Sequence, residues 1–143
     1  MRFMIMVKGG EDYEAGEMAD EEVLTAMGRY NEELVKAGVM LDGNGLLPTA
    51  KGALVSFSGG EPTVVDGPFA EAKEVVGGYW VFEVKSREEA IEWVKRIPSD
   101  PSVESVIEIR QFFEGDDFGE TFTDEIRERT ERMQATVTER RHS

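Results

Sequence analysis

Asp66, Gly67 and Pro68 set a carboxylate beside a residue that permits positive φ and one that fixes its own φ. Two readings of this triplet stand side by side. As a turn, the Asp66 carboxylate accepts amide hydrogen bonds while Pro68 pushes the residue before it into extended geometry. As a functional group, the same carboxylate would do general acid or base work, its pKa raised if it is partly buried. Cysteine and histidine offer little competition for that role. The chain has no cysteine, which excludes disulfides, thiolate nucleophiles, iron–sulfur clusters and cysteine zinc sites. The single histidine is His142, next to the last residue, so an imidazole base or metal ligand would depend on a chain terminus. Glu11-Asp12 and Asp116-Asp117 are adjacent carboxylates without the alternating D-x-D-x-D-G spacing of a calcium loop. No P-loop, dinucleotide fingerprint or G-x-S-x-G elbow occurs. No metal and no cofactor are expected.

The 143 residues fall within the size of one domain, and a 40% hydrophobic fraction is enough to bury a core without staples. A formal charge of −14 repels phosphate backbones, and no Lys/Arg stripe interleaved with aromatics overrides it, so nucleic acid is not an expected partner. The apolar start at residues 3–7 is too short for a signal-peptide core and gives way to Lys8, Gly9 and Gly10. No later apolar run is long enough to span a bilayer. The sequence therefore predicts a cytoplasmic protein without membrane contact, whose acidity serves solubility.

The elements that must position any site follow from periodicity. Phe3, Ile5 and Val7 alternate with Arg2, Met4, Met6 and Lys8 as a first strand, ended by Gly9-Gly10. Asp20 caps a helix with Glu21 and Glu22 in its first turn, and Val23, Met27, Tyr30 and Leu34 form its apolar stripe up to Gly38. Residues 41–49 hold Gly43, Asn44, Gly45 and Pro48, the composition of an ordered loop or broken strand. Residues 53–57 and 63–65 read as a hairpin around Ser58-Gly59-Gly60-Glu61-Pro62. Residues 79–84 read as a strand buried on both faces. Ser86 and Glu89 form a capping box, with Glu89 reaching back to the N-cap amide, and Ala90, Ile91, Val94 and Ile97 line a second helix stopped by Pro98. Residues 103–112 give a last strand, Gly115-Asp116-Asp117 a linker, and Thr123 caps a third helix with a narrow stripe of Ile126, Thr130, Met133 and Val137.

The run Asp66-Gly67-Pro68-Phe69-Ala70-Glu71-Ala72-Lys73-Glu74, followed by Gly77-Gly78-Tyr79-Trp80, resembles the DGPF branch of the YCII-like family. Asn31-Glu32-Glu33-Leu34, Gly38-Val39, Gly45-Leu46-Leu47-Pro48-Thr49 and Glu88-Glu89-Ala90-Ile91-Glu92-Trp93 carry the resemblance across residues 1–115, leaving 116–143 as a linker and a charged helix or tail. It implies an α+β, ferredoxin-like split βαβ domain with a mainly antiparallel sheet, to which the third helix read from the residues adds a C-terminal helix. It also implies a homodimer packed sheet to sheet, a dimeric α+β barrel, with a pocket between each sheet and its covering elements. Residues 79–84 agree, since helices cover one side of a four-stranded sheet and a second sheet would cover the other.

Arg29, Tyr30 and Asp42 then flank the expected pocket, Arg29 able to hold a carboxylate bidentately, while Pro68, Phe69 and Trp80 join them as ligand-contact candidates and Asp66 is the catalytic one. Each also has a structural reading, and Lys73 and Glu74 read as solvated surface. Some YCII-like relatives pair a histidine near the first helix with an aspartate. Here Arg29, Tyr30 and Asn31 stand in that region instead. Two functions follow from the resemblance: binding, with or without transformation, of a small organic molecule in the barrel pocket, or a non-catalytic regulatory or protein-interaction module. The second fits a family often found with, or fused to, extracytoplasmic-function sigma factors.

Overall fold

The computed structural model describes residues 1–16, 20–69, 75–100 and 104–141. They form a mixed α+β fold with antiparallel sheets and a C-terminal helix, divided into two compact units, Met1–Gln111 and Phe112–Ser143.

In the first unit, β1 (Arg2–Lys8) lies between β5 (Val76–Glu83) and β6 (Ile107–Gln111), and β2 (Met40–Gly45) pairs with the far side of β5. The order β2-β5-β1-β6 is antiparallel at every pairing and is the ferredoxin-like arrangement. Strand alternation sends Phe3, Ile5, Trp80 and Phe82 to one face, where α2 (Glu21–Lys36) and α3 (Arg87–Val94) cover them with Tyr30, Leu34 and Ala90. Burial of Phe3, Ile5, Leu34 and Phe82 contributes about 1.5–3 kcal/mol each and holds the unit together.

The helix ends follow local chemistry. Asp20 accepts from the Val23 amide at 2.9 Å. At the other end, Gly38 N–H donates to Val35 and Val39 N–H to Leu34, the two bonds of a Schellman ending. The Ser86 hydroxyl accepts from Glu89 N at 3.1 Å as the capping box requires. The Glu89 carboxylate, however, accepts from Lys85 N at 2.9 Å, one residue before the N-cap amide that the sequence pattern assigns to it.

Two further elements depart from their sequence reading, and a third takes one of its two forms. Residues 41–49 hold a broken strand and not a loop throughout: β2 is an edge strand with a register shift between Met40 and Asp42, followed by a 3-10 turn at Thr49–Lys51. Turn-forming residues survive there because the strand pairs on one side only. The hairpin of β3 (Ala53–Ser58) and β4 (Glu61–Asp66) closes with Gly59-Gly60 alone, Ser58 pairing Glu61, because both glycines take positive φ as a two-residue turn demands. The last strand starts at Ile107; residues 104–106 have no regular structure, and Val103 lies outside the described residues.

Within the first unit, β5 is buried on one face only. Trp80, Phe82 and the following Val84 are buried, whereas Tyr79 and Val81 share with Met4 and Met6 a half-exposed opposite face. The second unit holds a 3-10 stretch at Gly115–Thr121, where the sequence suggests a linker, and α4 (Asp124–Arg141), whose Ile126 amide donates to the Thr123 hydroxyl at 3.3 Å. Phe113, Phe118 and Phe122 stack in series at centroid distances of 4.8 and 5.2 Å, and the Arg127 guanidinium lies over Phe122. No residue of α4 is buried.

Candidate functional site

A cavity of about 410 Å³ opens between the N-terminal half of α2 and the glycine-rich ends of β2 and β5. Its size falls in the range of about 300–1,000 Å³ common to small-molecule clefts. Val23, Leu24, Met27 and Asn31 line it from the helix, and Val7 and Trp80 from the sheet. Gly43, Gly45, Gly77 and Gly78 border it with bare backbone; Asn44 and Tyr79 complete the lining. The arrangement explains two exposed aliphatic residues on α2. Val23 and Leu24, 46% and 59% exposed, border the cavity instead of entering the core that Tyr30 and Leu34 fill. Val7 and Met27 also face a second cavity, of about 490 Å³, reached from Val94, Ile97 and Ile107.

Trp80 joins the wall to the helix. Its indole Nε1 donates to Asn31 Oδ1 at 2.9 Å, and its ring meets the edge of Tyr30 at 5.7 Å between centroids. The strand beside it must be bare: a Cβ on Gly43 would stand 2.8 Å from Trp80 Cδ1 and 2.8 Å from Met40 Cε. Two residues on, and so on the same face, a Cβ on Gly45 would meet nothing within 4 Å.

At the same edge, Asp42 organises β2. Its Oδ1 accepts from Gly43 N at 2.9 Å and from Asn44 Nδ2 at 3.2 Å, while Oδ2 accepts from the Tyr79 hydroxyl at 3.3 Å. Asn44 Nδ2 also donates to the Tyr79 oxygen at 3.1 Å. Tyr30 lies deeper. It is buried and donates to the Trp93 carbonyl at 2.8 Å. Burial pushes its phenol up to about 12, with Arg96 opposing and Glu33 reinforcing the shift. Arg29 is exposed, in a shallow surface groove with Asp20, Glu21, Glu22, Thr25 and Ala26.

The DGPF turn occupies another place. Asp66 is exposed at the end of β4, and its carboxylate makes no hydrogen bond among the described residues. Gly67 N–H donates to the Gly52 carbonyl at 3.0 Å, and a Cβ at Gly67 would fall 1.7 Å from the Thr49 carbonyl oxygen. Glu14, at the end of the single helical turn α1 (Glu11–Glu14), secures Thr49 in turn, accepting from its amide at 2.9 Å and its hydroxyl at 2.5 Å. Tyr13 shares its hydroxyl proton between the Leu46 and Leu47 carbonyls at 2.6 and 2.7 Å. Burial, then the Glu14 carboxylate, raises its pKa and keeps that proton in place. Pro68 is exposed, and Phe69 is half-buried with its ring near Gly52. Residues 70–74, with Lys73 and Glu74, and His142 lie outside the described residues.

Of the residues singled out from sequence, Trp80 lines the cavity, Asp42 braces its edge and Tyr30 supports Trp80 from behind. Asp66, Pro68 and Phe69 gather around the Thr49 turn, apart from the described lining. Sequence reasoning left Asn31 and the four glycines without a role in the site. Leu24, an apolar residue beside the helix stripe, and two pairs of glycines on adjacent strands were the available signals. Among the described residues, no group of three acidic or histidine side chains gathers to hold a metal, and no helix is long and apolar enough to cross a membrane.

Comparison with known proteins adds a family. Residues 1–114 match the model of the YCII-related domain. An uncharacterised protein of Rhizobium meliloti (strain 1021) is 33% identical over 87 residues, which cover 60% of this chain and 70% of that protein.

Proposed function

The chain belongs to the YCII-related family, and from the cavity it carries we propose that it binds a small organic molecule between α2 and the β2–β5 edge. The observation that carries this reading is the convergence of an aromatic wall, an aliphatic helix face and one anchored side-chain amide on a space of small-molecule size. Whether the molecule is also transformed turns on Asp66, the one acid/base candidate carried over from the sequence. Its exposed carboxylate on the hairpin would have to reach a ligand from outside the described lining.

We further infer a homodimer formed through the open face of the four-stranded sheet. Met4, Met6, Tyr79 and Val81 give that face an apolar centre, and Lys8 paired with Glu108 at 3.1 Å lies among the charges around it. A second copy would cover the centre and turn two sheets into a barrel.

A protein-interaction role is the second reading, and the hairpin favours it. Val55, Phe57 and Val64 share one face of β3–β4 and are 52%, 81% and 63% exposed. An isolated two-stranded ribbon is marginal in water, so this one calls for a cover.

Native mass spectrometry of the purified protein separates these readings. The small-molecule reading expects dimer ions carrying an organic mass that collisional activation removes from wild type, and bare ions from Gly45→Phe, in which the new side chain fills the space. The same retained mass on both proteins would place the ligand elsewhere and contradict the assignment to this cavity.

A further inference from the structure

We propose that the occupant of the cavity is an uncharged, flat, mainly apolar molecule with one hydrogen-bond acceptor, such as a carbonyl oxygen, that takes a hydrogen bond from the Asn31 side-chain NH2; this rests on the small-molecule reading above.

The acceptor follows from the pairing of Asn31 with Trp80. An indole N–H can only donate, so the atom that meets Nε1 at 2.9 Å must be the amide oxygen. The two ends of the amide are thereby distinguished, since rotating the group would set donor against donor. What Asn31 keeps for the cavity it borders is the NH2, a donor without a partner among the described residues. The half-buried group is held at the helix end by its backbone and at the other by the indole, so it offers a fixed donor at little ordering cost.

The absence of charge follows from the lining. The chain contains 16 Lys and Arg and 30 Asp and Glu, yet none of the twelve described lining residues is one of them. A ligand carboxylate or phosphate would lose its hydration without gaining a cation, and the formal charge of −14 would oppose its approach. An ammonium group fares no better. The nearby carboxylate is Asp42, whose oxygens already accept from the Gly43 amide, Asn44 and Tyr79. Arg29, on the same helix, belongs to the outer groove with Asp20, Glu21 and Glu22.

Flatness follows from the walls. Gly43 pairs with Trp80 and Gly45 with Gly78, so this part of the sheet presents backbone rather than side chains. Val23, Leu24 and Met27 line the helix side and Trp80 adds an aromatic ring, surfaces against which a planar ligand can lie.

The test is equilibrium dialysis of the full chain against acetophenone, ethylbenzene and benzoate, with wild type and Asn31→Asp. Aspartate keeps an acceptor for the indole, so the Trp80 contact survives while the NH2 is removed; a melting curve checks the fold. For wild type, acetophenone should bind about five-fold more tightly than ethylbenzene through one net hydrogen bond, and benzoate should bind at least about ten-fold more weakly than acetophenone through unpaired charge. Asn31→Asp should abolish the preference of acetophenone over ethylbenzene, whatever the new carboxylate does to the affinity of both. Benzoate equal to acetophenone, or an unchanged preference in a folded Asn31→Asp, would overturn the ligand class while leaving a binding cavity. Failure of all three compounds to bind wild type would overturn the small-molecule reading itself, and this proposal with it.

Discussion

Tyr30 shows at one residue how position decides between chemistry and support. From sequence it stood beside an expected pocket, but burial and the bond to the Trp93 carbonyl make it a brace for Trp80. Its raised pKa gives this role a pH signature. Below 10, folded and unfolded chains both keep the phenol protonated; between 10 and about 12 the unfolded chain loses that proton while the native state retains it. Stability should therefore be unaffected by this group up to pH 10 and fall through the window, by on the order of 2 kcal/mol. Tyr30→Phe leaves the Trp93 carbonyl without its donor, at a cost of about 1 kcal/mol. Urea unfolding across pH 8–12 should show the gap between wild type and Tyr30→Phe constant up to pH 10, then shrinking and changing sign towards pH 12, since the loss through the window exceeds the cost of the missing hydroxyl; a constant gap throughout would contradict the assignment. Asp66 gives the opposite expectation. The turn reading counts on its carboxylate accepting amide bonds, yet it accepts none among the described residues, and the tight contact in the motif is Gly67 against Thr49. Asp66→Asn and Asp66→Ala should each change stability by less than about 0.5 kcal/mol. A loss of 2 kcal/mol or more in denaturant titration would restore the structural role; loss of turnover in a stable Asn variant, once a substrate is found, would establish the catalytic one.

At the scale of elements, the regular pieces were legible because each rests on local chemistry. The alternation of Phe3, Ile5 and Val7, the Asp20 cap, the Schellman ending at Gly38 and the Ser86 cap depend on residues within a few positions of one another. What was not legible depends on partners far along the chain. Gly43, Asn44 and Gly45 look like a turn until β5 supplies their ladder, and Gly43 is required by Trp80, 37 positions away in sequence numbering. The cavity escaped for the same reason: it is made by missing side chains on two strands under a helix, and no motif marks an absence. Gly43 and Gly45 test this directly. Gly43→Ala should cost about 1–3 kcal/mol because the Trp80 ring has to shift, whereas Gly45→Ala should stay within about 0.5 kcal/mol. Equal effects on the urea midpoint would show that Trp80 does not need the bare strand beneath it.

For the molecule as a whole, the α+β class and the extent of the family resemblance could be read from sequence, because patterning and the DGPF run are distributed over the first unit. The assembly is the part that one chain's pattern leaves to proposal. A strand as apolar as β5 shows only that both faces want cover, and α2 and α3 supply it on one side. The proposed dimer expects light scattering to give twice the chain mass at micromolar concentration. Val81→Lys, at the centre of the open face, should yield monomer or insoluble protein, while Glu88→Lys, exposed on α3, should leave the mass unchanged. A wild-type monomer at that concentration would refute the sheet-to-sheet assembly. The binding cavity is a separate claim, since all its described lining residues belong to a single copy. Its most direct measurement is the backbone amide NMR spectrum of the whole protein titrated with acetophenone. Saturable shifts concentrated at Val23, Leu24, Asn31, Gly43, Gly45, Gly77 and Gly78, with a matching shift of the Trp80 indole N–H, are the predicted result. Shifts confined to the β3–β4 hairpin or α4, or no saturable shift at all, would contradict it.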